Sequence, residues 1–574
     1  MANNILFASL RGELIPPANT LNSEQAPAYA LAPKQALAQY AATGCFGRTF
    51  YATADEQLAR VLELCDAIDP EFVARVAIYS RTKSFMKDMP ALLCAWLSTR
   101  NPRLHEAVFA RVIDNARMLR TYVQILRSGA VGRKSLGTAP KRLVREWLAR
   151  RDEEILFSAS TGQNPSLADV VKMVHPAPAN PRREAFYGYM LGRPYRANVL
   201  PELVVQFDRF KTGASKDLPD VPFTLLSALP LSQADWVSIA KKASWQTTRM
   251  NLNTFARHGV FEDVEVTSLI AARLRDAGEI ERGRVFPYQL LMAYQNCDTA
   301  VPQEVRDALQ DAMDLAIANV PSIQGKVVVC PDVSGSMRSP ITGHRFGSTT
   351  AVRCVDVAAL VAASVLRKNP SAVVLPFEQE VVPVDLNSRD SVVTNAERLA
   401  SIGGGGTNCS APVRLLNQRK ANADLVLFVS DNESWVDSAR TDQGRARGTA
   451  LLAEWSEYRQ RNPTARLVCL DVQPNQTTQA DEREDILNIG GFSDQVFEIV
   501  SAFAAGRLEA DHWIARIEAV AVEWGAHGPR LERGGPNAGR DYIAKCTSLG
   551  QHSLSALLQN ISETEAECRS GLHS

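Results

Sequence analysis

Five oxygen-bearing side chains stand out at three separate places in this 574-residue chain. Asp332, Ser334 and Ser336 lie in CPDVSGSMRS, Thr407 follows four glycines in SIGGGGTNCS, and Asp431 ends LVLFVSD. Hard divalent cations take all-oxygen sites, and two carboxylates with three hydroxyls leave positions open for water or a partner's ligand. Mg2+ fits such a set better than zinc, with Mn2+ or Ca2+ as alternatives. The glycines at 403–406 let backbone approach closely where a Cβ would block it. Taken alone, DVSGS also suits a turn whose Asp and Ser cap the next segment. A serine nucleophile lacks support, since there is no GxSxG and His344 is the nearest histidine in sequence.

What must position these residues is a set of nearly continuous apolar runs. Residues 326–330, 372–377, 425–430 and 467–472 read as strands and 351–366 as a helix, an alternation that suits a parallel sheet covered on both faces. In a doubly wound α/β sheet, ligands bind outside the carboxyl ends of strands, where all three pieces arrive. This domain is expected over residues 326–518. A C-terminal extension of unassigned role, 519–574, carries GPRLERGGPNAGRDY.

Residues 30–320 read as short serial helices. Apolar positions recur at three- and four-residue spacing, as in Phe72, Val73, Val76 and Tyr79 or Leu92, Leu93, Trp96 and Leu97. Breaks such as Asp69-Pro70, Asn101-Pro102 and SGAVGRKSLG separate the helices. Stacked helical pairs, a solenoid over residues 1–325, are the expectation.

Composition sets outer bounds. Apolar residues make 45% and charged residues 22%, which is ordinary globular composition. No apolar run approaches the roughly 20 residues of a membrane helix, and the N-terminus lacks a secretory layout, so a cytoplasmic protein is expected. The ten cysteines are scattered, without CxxC or zinc-finger spacing, which indicates neither a disulfide framework nor a structural zinc. The formal net charge is zero, yet residues 100–151 hold thirteen Lys or Arg against three Asp or Glu. Arg133, Lys134, Lys141, Arg142 and Arg145 form the densest part; such a face suits either a phosphate backbone or plain solvation.

Asp332, Ser334, Ser336, Thr407 and Asp431 resemble, position by position, the metal-ion-dependent adhesion site of von Willebrand factor A (vWA) domains. Ahead of that site come IYSRTKSFMKDMPALL, GRKSLGTAPKRLVREWL, SLADVVKMVHP, SWQTTRMNLNTFARHGVF and RVFPYQLLMAYQ. With DVSGSM these six dissimilar motifs, in this order, resemble the TROVE domain of the Ro autoantigen family in its bacterial form. The resemblance spans roughly residues 30–518 and implies an α plus α/β architecture: a ring of HEAT-like helical repeats closed by a Rossmann-like vWA domain.

It further implies a non-enzymatic, monomeric ring within a small ribonucleoprotein. Y-like noncoding RNA would bind outside, and single-stranded 3′ ends of misfolded or immature RNAs would enter the central hole. An exoribonuclease such as polynucleotide phosphorylase would be a partner in RNA quality control, processing or degradation. Carried over by motif, His175 matches the family's RNA-facing histidine, while Arg81, Lys83, Lys87, Arg249 and Asn251 are contacts expected near the hole. Two departures stand out: SASTGQNPSL carries no Lys or Arg where the family has basic residues, and Asn408 follows the threonine where many relatives have Asp. The competing readings are a metal-dependent protein-interaction scaffold without RNA and, with less behind it, a metal-dependent phosphodiesterase, for which no base or paired metals are evident.

Overall fold

The computed structural model describes residues 15–522 apart from 44–45, 47–50, 85, 163, 284, 342–351, 438–447, 474, 491–495 and 508–511. His344, the start of the helix expected at 351–366, and nearly all of the extension from 523 onward therefore lie outside the described residues.

The sequence breaks become helix starts. Asp69 accepts from the Phe72 amide at 2.8 Å and Pro70 opens the helix Pro70–Thr82; Asn101 and Pro102 do the same for Pro102–Val112. A capping oxygen satisfies one orphan amide, and a proline at the first position has no amide to lose. Gly129, at φ +90°, ends Ala116–Ser128 in the left-handed conformation that glycine adopts without penalty. Short helices of this kind run from Pro33–Thr43 to Gln303–Ala316 and pack on their neighbours in series.

They bury two separate cores. The first takes residues from Ala36 to Phe207; the second starts at Leu226 and continues without a break into the sheet domain. The helical region is thus an arch of two halves.

Eight strands are present among the described residues: β1 (Thr20–Leu21), β2 (Pro27–Ala30), β3 (Val327–Pro331), β4 (Val373–Val374), β5 (Leu425–Ser430), β6 (Arg466–Asp471), β7 (Thr477–Thr478) and β8 (Ile486–Gly490). The main sheet is parallel throughout, in the order β4-β3-β5-β6-β8. Alternate residues face opposite layers, as the pleat requires. Val327, Val329, Leu425 and Leu427 meet the helices Cys354–Lys368 and Val392–Ala400, while Val328, Cys330, Val426 and Phe428 meet Ser410–Gln418 and Ala450–Arg461. Burial on both faces is why the strands read as unbroken apolar runs. The strand expected at 372–377 is regular only over Val373–Val374, at the sheet edge; beyond it the Leu375 and Phe377 amides still donate to Val329 O and Pro331 O at 2.8 and 3.1 Å.

Both feet of the arch stand on this sheet domain. At the N-terminal foot β2 pairs antiparallel with β7, Tyr29 opposite Thr478, and the helix Pro33–Thr43 packs on β8. At the other foot Pro287–Gln295 lies on Cys354–Lys368, and Gln303–Ala316 lies on Val392–Ala400. A helical arch that leaves and rejoins one domain is a closed ring. The helix His512–Glu518 follows the sheet domain in sequence but packs on Pro33–Thr43 and Pro70–Thr82, with Ile517 in the first helical core.

Candidate metal site and interior cleft

Strand order reverses between β3 and β5: the chain goes from β3 to β4 on one side, then crosses to β5 on the other. A crevice at the carboxyl ends of two such strands is where doubly wound sheets hold ligands. Asp332 leaves β3 there, its amide bonded to Val429 O at 2.9 Å, and Asp431 leaves β5 next door. Ser334 donates its amide to Asp332 Oδ1 at 2.8 Å, and its Oγ lies 3.3 Å from Ser336 Oγ. The glycine loop brings the third piece: the Gly335 amide donates to Gly405 O at 2.9 Å, and the Gly405 amide to Glu378 Oε2 at 2.7 Å. Thr407 is then fixed by the amides of Trp435 and Val436, which donate to its carbonyl at 3.1 and 3.2 Å.

Asp332, Ser334, Thr407 and Asp431 are all buried. Burial, and then the neighbouring Asp431 charge, holds Asp332 well above the ordinary carboxylate range; burial does the same to Asp431. Two buried carboxylates and the Ser334 and Ser336 hydroxyls at one crevice, with Thr407 buried on the adjoining loop, are a donor set that fits a hard divalent cation, whose charge would offset their repulsion.

Several neighbours were not legible in the sequence. Ser430 Oγ donates to Asp332 Oδ2 at 2.6 Å, and the Tyr51 hydroxyl bonds Ser336. Glu433 is buried and pushed up to about 8, mainly by burial, while accepting from the Ser23 amide at 2.7 Å. Only Ser430 had a local signal, as the residue before the strand-ending aspartate. Asn408 donates to Gln379 O at 2.8 Å and accepts from the Ser410 hydroxyl at 2.8 Å, a role that an aspartate would half lose. Its amide holds the loop after Thr407.

A cleft of about 550 Å³ lies between the two halves of the arch. Arg117 and Arg120 line it from the first half, Arg249 and Arg257 from the second, with Asn115, Asn251, Asn253 and Asn296 between them. Arg120 lies so close over Gly162 that any Cβ there would collide with its guanidinium. Of the family-derived residues, Arg249 and Asn251 do line the cleft, but both are buried: Arg249 Nη1 donates to Gln289 O and Asn251 Nδ2 to Thr247 O, each at 2.8 Å. Arg81 pairs with Asp114 at 2.6 Å, and Asp114 in turn accepts from Asn115 at 2.7 Å, so Arg81 braces the cleft edge. Lys83 caps the end of Pro70–Thr82 and Lys87 precedes Asp88–Arg100.

The outer cluster divides. Lys134 is exposed, whereas Arg133 donates to Leu136 O at 3.1 Å within its own loop. Arg142 is paired to Glu106 and Glu146 at 2.8 and 2.9 Å, which leaves Lys141 half-buried beside it. Arg145 donates to the Val174 carbonyl and thereby stands next to His175, an exposed residue at φ +50° that ends Leu167–Val174.

A family model described as the Ro60 vWA domain matches residues 326–504. Residues 326–504 are thus similar to a vWA domain of the Ro60 type. The likeness extends beyond the vWA domain: RNA-binding protein RO60 of Deinococcus radiodurans is 25% identical over 521 residues, covering 84% of this chain and 94% of the relative. RNA-binding protein RO60 of Caenorhabditis elegans is 22% identical over 294 residues, 47% of this chain and 43% of the relative. The crystal structure of the D. radiodurans RO (RSR) protein superposes with a TM-score of 0.56 at 19% identity, over 83% of this chain and all of that one, and shows the same fold. The bacterial Ro resemblance read from the six motifs therefore holds across both halves, and so does the fold: helical repeats with a vWA domain.

Proposed function

We propose that this protein binds RNA, admitting single-stranded 3′ ends to the interior cleft and holding a structured, Y-like RNA on its outer surface. The observation that carries the proposal is the cleft itself. Four arginines and four asparagines from both halves of the arch converge on one concave space. Arginine suits phosphate contact, and asparagine offers a donor and an acceptor to base edges or 2′-hydroxyls. The RNA-binding names of the relatives from D. radiodurans and C. elegans support the same assignment. Outside, Lys134, Lys141, Arg145 and His175 provide the remaining basic face, reached by a duplex through its phosphates.

The vWA crevice would hold a divalent cation, Mg2+ first, on Asp332, Ser334, Ser336, Thr407 and Asp431. A cation there would supply charge and geometry for docking, and in this reading the protein presents RNA and leaves cleavage to a partner exoribonuclease in the cytoplasm.

Gel-shift titration with a duplex bearing or lacking a single-stranded 3′ tail tests the cleft. A tail preference that weakens with salt, and that Arg117→Ala with Arg257→Ala reduces, is expected; equal affinity for both RNAs at all salt concentrations would overturn the proposal.

A further inference from the structure

The vWA crevice is bordered by a part of the chain that precedes the whole helical arch. Between β1 and β2 the chain turns tightly: the Gln25 amide donates to Asn22 O at 3.0 Å, Gln25 adopts φ +61°, and Asn22 Oδ1 accepts from the amides of Glu24 and Ala26 at 3.1 and 2.9 Å. This turn is docked on the segment just after Asp431. Asn22 Nδ2 donates to Ser434 O at 2.7 Å, and Ser23 gives Glu433 its amide at 2.7 Å and its hydroxyl at 3.3 Å. Glu24 follows at the tip, exposed, and its charge reaches Asp431, Glu433 and Tyr51.

We propose that Glu24 supplies an acidic oxygen at the open side of the divalent-cation site, so that the cation clamps the N-terminal hairpin onto the vWA domain. This rests on the cation reading of the five oxygen donors given above. Mg2+ requires near-octahedral oxygen coordination and readily takes a carboxylate beside retained waters. A carboxylate held by the same chain, on a turn already fixed through Asn22 and Ser23, competes for that position at high effective concentration. Here a carboxylate on the docked β1–β2 turn, next to Ser23 and its bond to Glu433, would take that place. The cation then becomes a fastener of the ring's N-terminal foot rather than an exposed docking point.

Calorimetric titration of MgCl2 and MnCl2 into the full chain and its Glu24→Gln and Asp431→Ala variants tests this, alongside amide hydrogen exchange of residues 20–30 with and without the metal. Glu24 is exposed, so Glu24→Gln is expected to fold as the parent does. If the clamp exists, the parent binds metal, Glu24→Gln weakens binding about tenfold or more, and metal slows exchange at 20–30 in the parent but not in Glu24→Gln. Equal affinity and equal protection in parent and Glu24→Gln overturn the clamp while the cation site stands. No binding by the parent removes the cation reading itself, and the clamp with it.

Discussion

At the scale of single residues, the vWA crevice is a place where like charges are buried together. Asp332 and Asp431 are held above their ordinary range by burial, and Asp332 also by its neighbour's charge. In metal-free buffer Asp431→Asn is therefore expected to raise the melting temperature, while added Mg2+ raises that of the parent and leaves the variant unmoved. A cation at a hundredfold excess over its Kd stabilises the parent by about 2.7 kcal/mol, which differential scanning fluorimetry resolves. Gly403 is the backbone counterpart. At φ +75°, a Cβ there would sit 2.4 Å from Val333 O. Gly403→Ala should cost about 1–3 kcal/mol in chemical denaturation and should displace the loop that delivers Thr407.

At the scale of elements, the helices of the first half are pinned to one another by polar groups inside the core. His105, on Pro102–Val112, is 1% exposed and stands 2.7 Å from the Tyr122 hydroxyl on Ala116–Ser128. Burial, then the Arg133 charge, with Arg142 opposing Glu106 more weakly, presses its pKa down to about 4. The unfolded chain takes a proton near the ordinary histidine value of about 6.5, so the native state loses ground as pH falls below that and the loss levels off near 4. The full loss is on the order of 3 kcal/mol. Urea denaturation at pH 7.5 and 4.5 should show most of it, and His105→Gln should flatten the dependence.

The whole molecule is a ring because both feet of the arch reach one sheet domain. Tyr29 is the key side chain of the N-terminal foot: it is 1% exposed, packs in the core on one face of the sheet, and pairs through β2 with β7. Tyr29→Ala should cost about 3–5 kcal/mol and should speed hydrogen exchange in Pro33–Thr43 more than in the helices of the second half. Because the cleft is lined from both halves, opening this foot should also weaken capture of a 3′ tail, which the same gel shifts would read.

Local pattern by itself determined a good deal of this protein. Helical periodicity around Phe72 and Val76, the Asp69-Pro70 and Asn101-Pro102 starts, and the unbroken apolar run of β5 each depend on neighbours a few residues apart, which a sequence records directly. The positions of DVSGS, Thr407 and Asp431 were legible too, because a parallel sheet places the ends of its strands together and each stands at such an end or on its loop. What only the tertiary structure decided are contacts between residues hundreds of positions apart. Ser23 meets Glu433 and Tyr51 meets Ser336, while Arg117 and Arg257, from different halves of the arch, line one cleft. No periodicity encodes these meetings. They follow from an arch whose curvature returns its two ends to one domain, and from the burial that turns ordinary carboxylates and arginines into a site.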